Sequence, residues 1–357
     1  MNAQNFMTAH FPMNLEKALM DKIYIISFTQ KGAELSLKLH KIYPDALLYG
    51  KYPFDNIKML EKDIKSFTAD IFYESRAVIF ISAVGIAVRA VAPLIVSKNK
   101  DAAVIVLDDN GRYVIPVLSG HIGGANEMAL KIAEYINAEP VITTATDINN
   151  KFAVDVWAEK NNLYIDDITM IKEVSSRLLR NEKIGFVSEY QVSGIMPDGI
   201  VADMQQECGI VIADNLEIKP YPYTMQLIPK EYVLGIGARK DAEYNYLKDF
   251  IERVLKENNI DKRKILAIAS IDIKKDEKAI LKLSKYLNVP FVTYSAKQLT
   301  DMQGDFTSSN FVKKITGVDN VCERAVKCFN GSEIIVKKLC ENGFTLSIGH
   351  KLWQGSF

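Results

Sequence analysis

Residues 77–91 read AVIFISAVGIAVRAV. Five apolar residues in succession, Ala77 to Ile81, form the pattern of a strand covered on both faces. Ser82-Ala83-Val84-Gly85 follows as a turn, and residues 86–91 form a short helix that Pro93 is placed to limit, since proline cannot continue the hydrogen-bond ladder. A buried strand passing through a glycine turn into a helix is the repeating unit of an α/β sheet. The flanking sequence repeats it. Upstream, residues 22–28 (KIYIISF) and 46–49 read as strands, with helices over 32–43 and 55–67. Downstream, apolar runs at 103–107 and 113–118 flank Asp108-Asp109-Asn110-Gly111, a hairpin signal that predicts one antiparallel pair. A helix over 125–136, a strand over 140–143 and a helix over 152–161 complete this series.

Between Tyr164 and Pro229 the pattern is less regular, with a helix over 168–179 and several prolines and glycines after Gly194. A second β-α series begins after Ile228-Pro229-Lys230, with strands at 232–236, 264–270 and 290–294 and helices over 244–258 and 276–287. The expectation is an α/β protein of two β-α domains with mainly parallel sheets joined by a less regular middle region. Its divisions are a tail (1–20), a first domain (21–161), the middle region (162–229) and a second domain (230–357).

Composition narrows the function classes. Of 357 residues 48% are hydrophobic, enough for a sizeable core, and 44 basic residues balance 44 acidic ones. No global field draws the chain to nucleic acid or an anionic membrane, so an anionic ligand has to be held by local groups. The first twenty residues lack the pattern of a secretory signal and no later apolar run spans a bilayer, so the expectation is a soluble cytoplasmic protein. Cys208, Cys322, Cys328 and Cys340 form no CxxC pair, and His10, His40 and His350 stand at no metal-ligand spacing; neither a metal site nor a disulfide frame is expected. HExxH, GxSxG and phosphate-loop motifs are absent. A homo-oligomer is compatible with this composition.

The strongest chemical signal is Leu118-Ser119-Gly120-His121-Ile122-Gly123-Gly124-Ala125-Asn126, where a strand gives way to a helix. Glycines permit tight turning and close approach, the amides of a helix's first turn point outward, and the macrodipole favours an anion there. His121 adds a group that moves protons near neutral pH, and Ser119 and Asn126 can orient a ligand. A glycine turn with a capping histidine is the bland alternative. Further on, Val141-Ile142-Thr143-Thr144-Ala145-Thr146-Asp147 ends a strand with three hydroxyls and a carboxylate, and both segments are expected to face one crevice. Thr146 or Asp147 capping the next helix is the competing account. Gly85 and Arg89 offer a further strand-end turn with a guanidinium, which takes either a substrate carboxylate or an internal salt bridge. In the second domain Leu234-Gly235-Ile236-Gly237-Ala238-Arg239-Lys240 places two glycines and two cations before a helix; it lacks the third glycine of a dinucleotide fingerprint and fits carboxylate binding better. The polar loop Thr307-Ser308-Ser309-Asn310-Phe311 and the helix carrying Glu323 are explained largely by capping.

At these residues the chain resembles the cobalt-precorrin-5A hydrolase family of the anaerobic route to cobalamin. The resemblance runs from about residue 23 to 348 and is most specific in GIAVRAVAPLI (85–95), VIPVLSGHIGGAN (114–126), VITTATD (141–147) and LGIGARK (234–240), with Thr316-Gly317-Val318, Val321 and Glu323 matching a later pattern. Ala238 and Asp241 depart from it where the family commonly has cysteine and glycine, which argues against an obligatory thiol nucleophile there. The resemblance implies opening of the substrate's ring A δ-lactone with release of acetaldehyde. His121 or Asp147 would activate water, and amides around Gly123 and Gly124 would stabilise the oxyanion. Gly85, Arg89, Ser119, Gly120, Gly123, Gly124, Asn126, Thr143, Thr144, Thr146, Gly235, Gly237, Arg239 and Lys240 would contact the carboxylate-fringed macrocycle. Cobalt travels with the substrate, so no protein-bound cofactor or metal is implied. The alternatives are a tetrapyrrole carrier that performs no reaction and a nucleotide-binding regulatory protein, the latter fitting the fold class but not the loops.

Overall fold

The apolar run at residues 77–81 lies in the middle of a seven-stranded sheet. The computed structural model describes residues 22–97, 101–121, 123–149, 151–308, 316–329 and 331–357, and the chain divides into two compact units after Ile148. In the first unit, β1 (Lys22–Ser27), β2 (Leu47–Gly50), β3 (Lys58–Met59), β4 (Ser75–Ile81), β5 (Ala103–Leu107), β6 (Tyr113–Leu118) and β7 (Glu139–Pro140) are ordered β3-β2-β1-β4-β5-β6-β7. The first five are mutually parallel, and β6 runs antiparallel to β5. The hairpin between them is closed by Asp108, whose Oδ1 accepts from the amides of Arg112 and Tyr113, both at 2.8 Å.

Strands apolar at every position need cover on both faces. Helices α1 (Gln30–His40) and α4 (Ala125–Ile136) pack Leu39, Met128, Ala129 and Ile132 against Ile25, Ile79 and Ile105. On the other face α2 (Ile64–Ile71) and α3 (Val84–Val91) pack Ile71, Ala87, Ala90 and Val91 against Ile26, Phe80 and Val106. Each fully buried Ile or Phe here is worth about 1.5–3 kcal/mol over the exposed state. Two local expectations change. The charged stretch 55–67 is not one helix: Asp63 accepts from the amides of Lys65 (3.0 Å) and Ser66 (3.2 Å), and this cap starts α2 only at Ile64, leaving β3 before it. The strand expected over 140–143 is shorter, because after Val141 donates to the Val114 carbonyl (2.8 Å) the chain leaves the sheet as a loop ending in the single turn α5 (Ala145–Ile148).

In the second unit α6 (Val154–Lys160) and α7 (Thr169–Leu179) cover one face of a five-stranded sheet. Its strands are β8 (Leu163–Ile165), β9 (Ile184–Ser188), β11 (Ile200–Val201), β12 (Cys208–Ile212) and β13 (Tyr223–Pro229), in the order β11-β9-β12-β13-β8, while β10 (Val192–Ser193) lies outside it. The middle stretch therefore holds a sheet and core of its own. Its irregularity belongs to the loops between short strands. Tyr221 lies across Gly185 and Gly209, where added β-carbons would sit 2.4 and 2.1 Å from its ring.

A second five-stranded sheet follows: β14 (Tyr232–Ala238), β15 (Ile265–Ile271), β16 (Phe291–Tyr294), β17 (Glu333–Glu341) and β18 (Phe344–His350), ordered β16-β15-β14-β18-β17. Helices α8 (Tyr244–Glu257) and α9 (Lys278–Leu287) cover one face; α10 (Ala296–Asp301) and α11 (Val321–Cys328) cover the other. The antiparallel pair β17–β18, turning at Asn342-Gly343 with both residues at positive φ, was not anticipated from the β-α pattern. The last residues return to the middle core. There β19 (Gly355–Ser356) pairs with β10, Trp157 Nε1 donates to the Ser356 carbonyl (2.7 Å), and the Phe357 ring stacks on Trp157 at 5.1 Å.

Candidate functional site

The antiparallel direction of β6 decides which loops meet. Leu118, at its end, pairs with Val104, at the start of β5. The turn 119–124 therefore lies at the opposite end of the sheet from Ser82 and Gly85, which follow the end of β4. Since β7 runs parallel to β6, the loop after it comes to the same end as that turn.

Ser119 leaves β6 with φ 57°, an unusual value for a residue with a side chain, and its hydroxyl donates to the Asp101 carbonyl at 3.0 Å. Gly120 follows under the Asn126 side chain; an added β-carbon would stand 2.7 Å from Asn126 Oδ1. Gly124, at φ 75°, starts α4. The turn then folds back on the helix. Gly124 N–H donates to the His121 carbonyl (2.7 Å), Ala125 N–H to Ser119 (3.1 Å) and Asn126 N–H to Gly120 (3.0 Å). This narrows the expected amide cradle at Gly124: the amides of Gly124, Ala125 and Asn126 are satisfied by the carbonyls of their own loop, so Gly124 offers no donor to an oxyanion. Ile122 lies outside the described residues.

The expected convergence of the two segments is present. Asn126 Nδ2 donates to Thr144 Oγ1 at 2.9 Å, and Thr146 Oγ1 stands 3.1 Å from His121 Nε2. Thr146 is buried, His121 and Thr144 are half-buried, and Thr143 is exposed. Asp147 belongs to α5 by its backbone, and its side chain lies outside the described residues. The sequence pointed to both segments but not to the pairing of Thr146 with His121, which arises between residues 25 apart.

Gly85 and Arg89 stand apart from this cluster. The Arg89 guanidinium folds back along α3 to donate to the Gly85 carbonyl (3.1 Å), and no carboxylate pairs with it among the described residues. Of its two expected partners, the internal salt bridge is therefore not found among the described residues.

In the second unit the glycines of 234–240 are strand residues. A β-carbon on Gly235 would sit 2.0 Å from the carbonyl oxygen of Cys322, so this glycine lets α11 lie against β14; one on Gly237 would meet Thr345 Oγ1 at 2.4 Å. Neither has a positive φ, and the expected glycine cradle is instead a packing surface. Arg239 and Lys240 are exposed, with the Arg239 stem against Gly343. Just beyond them an open cleft of about 440 Å³ lies at the starts of α8 and α9, lined by Asp241, Tyr244, Lys278 and Lys282 among others. Two helices beginning beside one another at strand ends were the available sequence signal for it.

Glu323 is buried and accepts from Thr307 N (2.8 Å), Thr307 Oγ1 (2.9 Å) and Lys338 N (2.7 Å), while Asn320 caps α11 by accepting from Glu323 N at 2.9 Å. Capping thus accounts for Asn320, while Glu323 ties the Thr307 loop to the strand at Lys338; Ser309, Asn310 and Phe311 lie outside the described residues. Burial pushes the Cys322 thiol up to about 12 and the Cys208 thiol up to about 11, which disfavours the thiolate at both. Among the described residues no cluster of His, Cys, Asp and Glu could hold a metal, and no helix is long and apolar enough to cross a membrane.

Three family models match the chain in order: Cobalamin synthesis G N-terminal over residues 66–147, Cobalamin biosynthesis central region over 152–229 and Cobalamin synthesis G C-terminus over 232–349. A cobalt-precorrin-5A hydrolase from Salmonella typhimurium is 35% identical over 289 residues, covering 76% of this chain and 81% of its own. Another from Priestia megaterium is 27% identical over 91% of this chain and 93% of its own. A probable cobalt-precorrin-5A hydrolase from Methanocaldococcus jannaschii is 28% identical over 91% and 98%. The chain carries all three regions, and it belongs to the cobalt-precorrin-5A hydrolase family of cobalamin synthesis.

Proposed function

We propose that this protein opens the ring A acetate δ-lactone of cobalt-precorrin-5A and releases acetaldehyde, giving cobalt-precorrin-5B. The observation that carries the reading to particular residues is the meeting of His121 with Thr146 beside a tight glycine turn, within the segments most specific to the family. Water adds to the lactone carbonyl and the ring oxygen leaves as an alkoxide. That C–O becomes the carbonyl of acetaldehyde as the adjacent C–C bond breaks, and the electron pair remains on the conjugated macrocycle until it is protonated. The enzyme is in this sense a hydrolase acting on a carbon–carbon bond. Cobalt is part of the substrate. His121 acts in the lactone step, Ser119, Gly120 and Asn126 shape the turn that carries it, and Arg239 and Lys240 are exposed cations suited to the acetate and propionate arms.

One observation favours a second reading, that of a tetrapyrrole carrier. The amides of Gly124, Ala125 and Asn126 are already bonded within their loop, so these three offer no donor to an oxyanion. The deciding experiment supplies purified protein with cobalt-precorrin-5A under anaerobic conditions and measures acetaldehyde. Stoichiometric aldehyde is expected, and His121→Ala should slow it by about two or more powers of ten while substrate binding changes little. Tight binding with no aldehyde would establish the carrier.

A further inference from the structure

Thr146 is 6% exposed, and among the described residues the hydrogen-bond partner of its hydroxyl is His121 Nε2, at 3.1 Å. A hydroxyl carries one hydrogen, and a buried donor left without an acceptor costs about 1–3 kcal/mol. Nε2 is the acceptor within reach. It accepts only if its lone pair is unprotonated, and in a neutral imidazole the remaining proton then sits on Nδ1. We propose that Thr146 is a positioning residue that holds His121 in the Nδ1-protonated neutral form, rather than a contact to the substrate.

This deepens the proposed function and rests on it for its catalytic meaning. A ring protonated at Nδ1 donates a hydrogen bond from that nitrogen and cannot take a proton from water there. With Nε2 engaged by Thr146, the ring proton is fixed on Nδ1 and His121 acts as a hydrogen-bond donor rather than as the base. The base that activates water is then another group, and Asp147 is the other candidate named by the sequence. Asn126, bonded to Thr144 two residues before Thr146, ties the same two loops and holds the hydroxyl in register with the ring.

The test reads the tautomer directly. The chain has four histidines, so long-range proton–nitrogen spectra of protein labelled in its imidazole nitrogens resolve each ring, and His121→Gln assigns the one in question. The expected result is an unprotonated Nε2 and a protonated Nδ1 at His121. Thr146→Val should move the ring toward the other tautomer and lower kcat about tenfold, the value of one hydrogen bond, with KM little changed; Thr146→Ser should restore both. A protonated Nε2 in the neutral wild-type ring, or a tautomer unmoved by Thr146→Val, overturns the proposal. These spectra need no turnover: the expected tautomer in a protein that forms no aldehyde would sink the proposed reaction and leave the assignment of Thr146 standing.

Discussion

Two glycine-rich stretches, residues 118–126 and 234–240, carry the same local pattern of strand, glycines and polar residues ahead of a helix, and the fold uses them differently. In the first, the glycines lie in a turn beyond the strand, with Ser119 and Gly124 in left-handed conformations and the loop closed on its own helix. In the second, Gly235 and Gly237 lie within β14, and the missing side chain of Gly235 is the space occupied by the Cys322 carbonyl. Glycine marks a place where something comes close. Whether a ligand, a loop or a neighbouring helix comes close depends on which side of the strand end the residue falls.

Substitutions can break or sharpen this contrast. The largest effect is expected at Gly235: an added methyl would meet backbone at 2.0 Å, and backbone cannot swing aside, so Gly235→Ala should cost about 3 kcal/mol or more and lower the melting temperature sharply. A melt close to wild type would mean that α11 does not rest on this strand. Gly120→Ala should be milder, since its neighbour is the end of the Asn126 side chain, 2.7 Å away and able to move. The expected loss is about 1 kcal/mol, with a larger fall in kcat because Asn126 would release Thr144. An unchanged kcat in a stable Gly120→Ala protein would detach the turn from the chemistry. The smallest stability effect belongs to Arg239→Ala, within about 0.5 kcal/mol for an exposed side chain, with KM raised a few-fold if the cation meets a carboxylate arm. An unchanged KM would remove Arg239 from substrate binding.

Much of the fold was legible because it is written in short-range patterns. The all-apolar strands β4 and β5, the hairpin at Asp108–Gly111 and the helix at 125–136 follow from periodicity and turn chemistry. The core of the middle stretch was less visible: its strands are mostly two to five residues long, too short for an alternating pattern to stand out, and β9 and β12 contain glycines placed there for Tyr221. Of the site, the sequence pointed to both loops and to His121, but it grouped Gly85 and Arg89 with the same substrate contacts. The predicted hairpin already implied that β6 runs against β5; the consequence, that its loop emerges at the other end of the sheet from Gly85, required the neighbours of each strand to be known.

The sequence by itself determined the α/β class, most elements of the two β-α series, the family and the chemical types available at residues 119–126 and 141–147, because these depend on residue identity and on spacings within a turn or a strand. Only the tertiary structure decided that Thr146 faces His121, that the first amides of α4 bond to their own loop and that Gly235 serves a helix 87 residues further on at Cys322. Each is a contact between groups distant in the chain or a backbone angle at a residue such as Ser119, whose type does not announce it. Which donor meets which acceptor is settled when the sheet brings separate strand ends together.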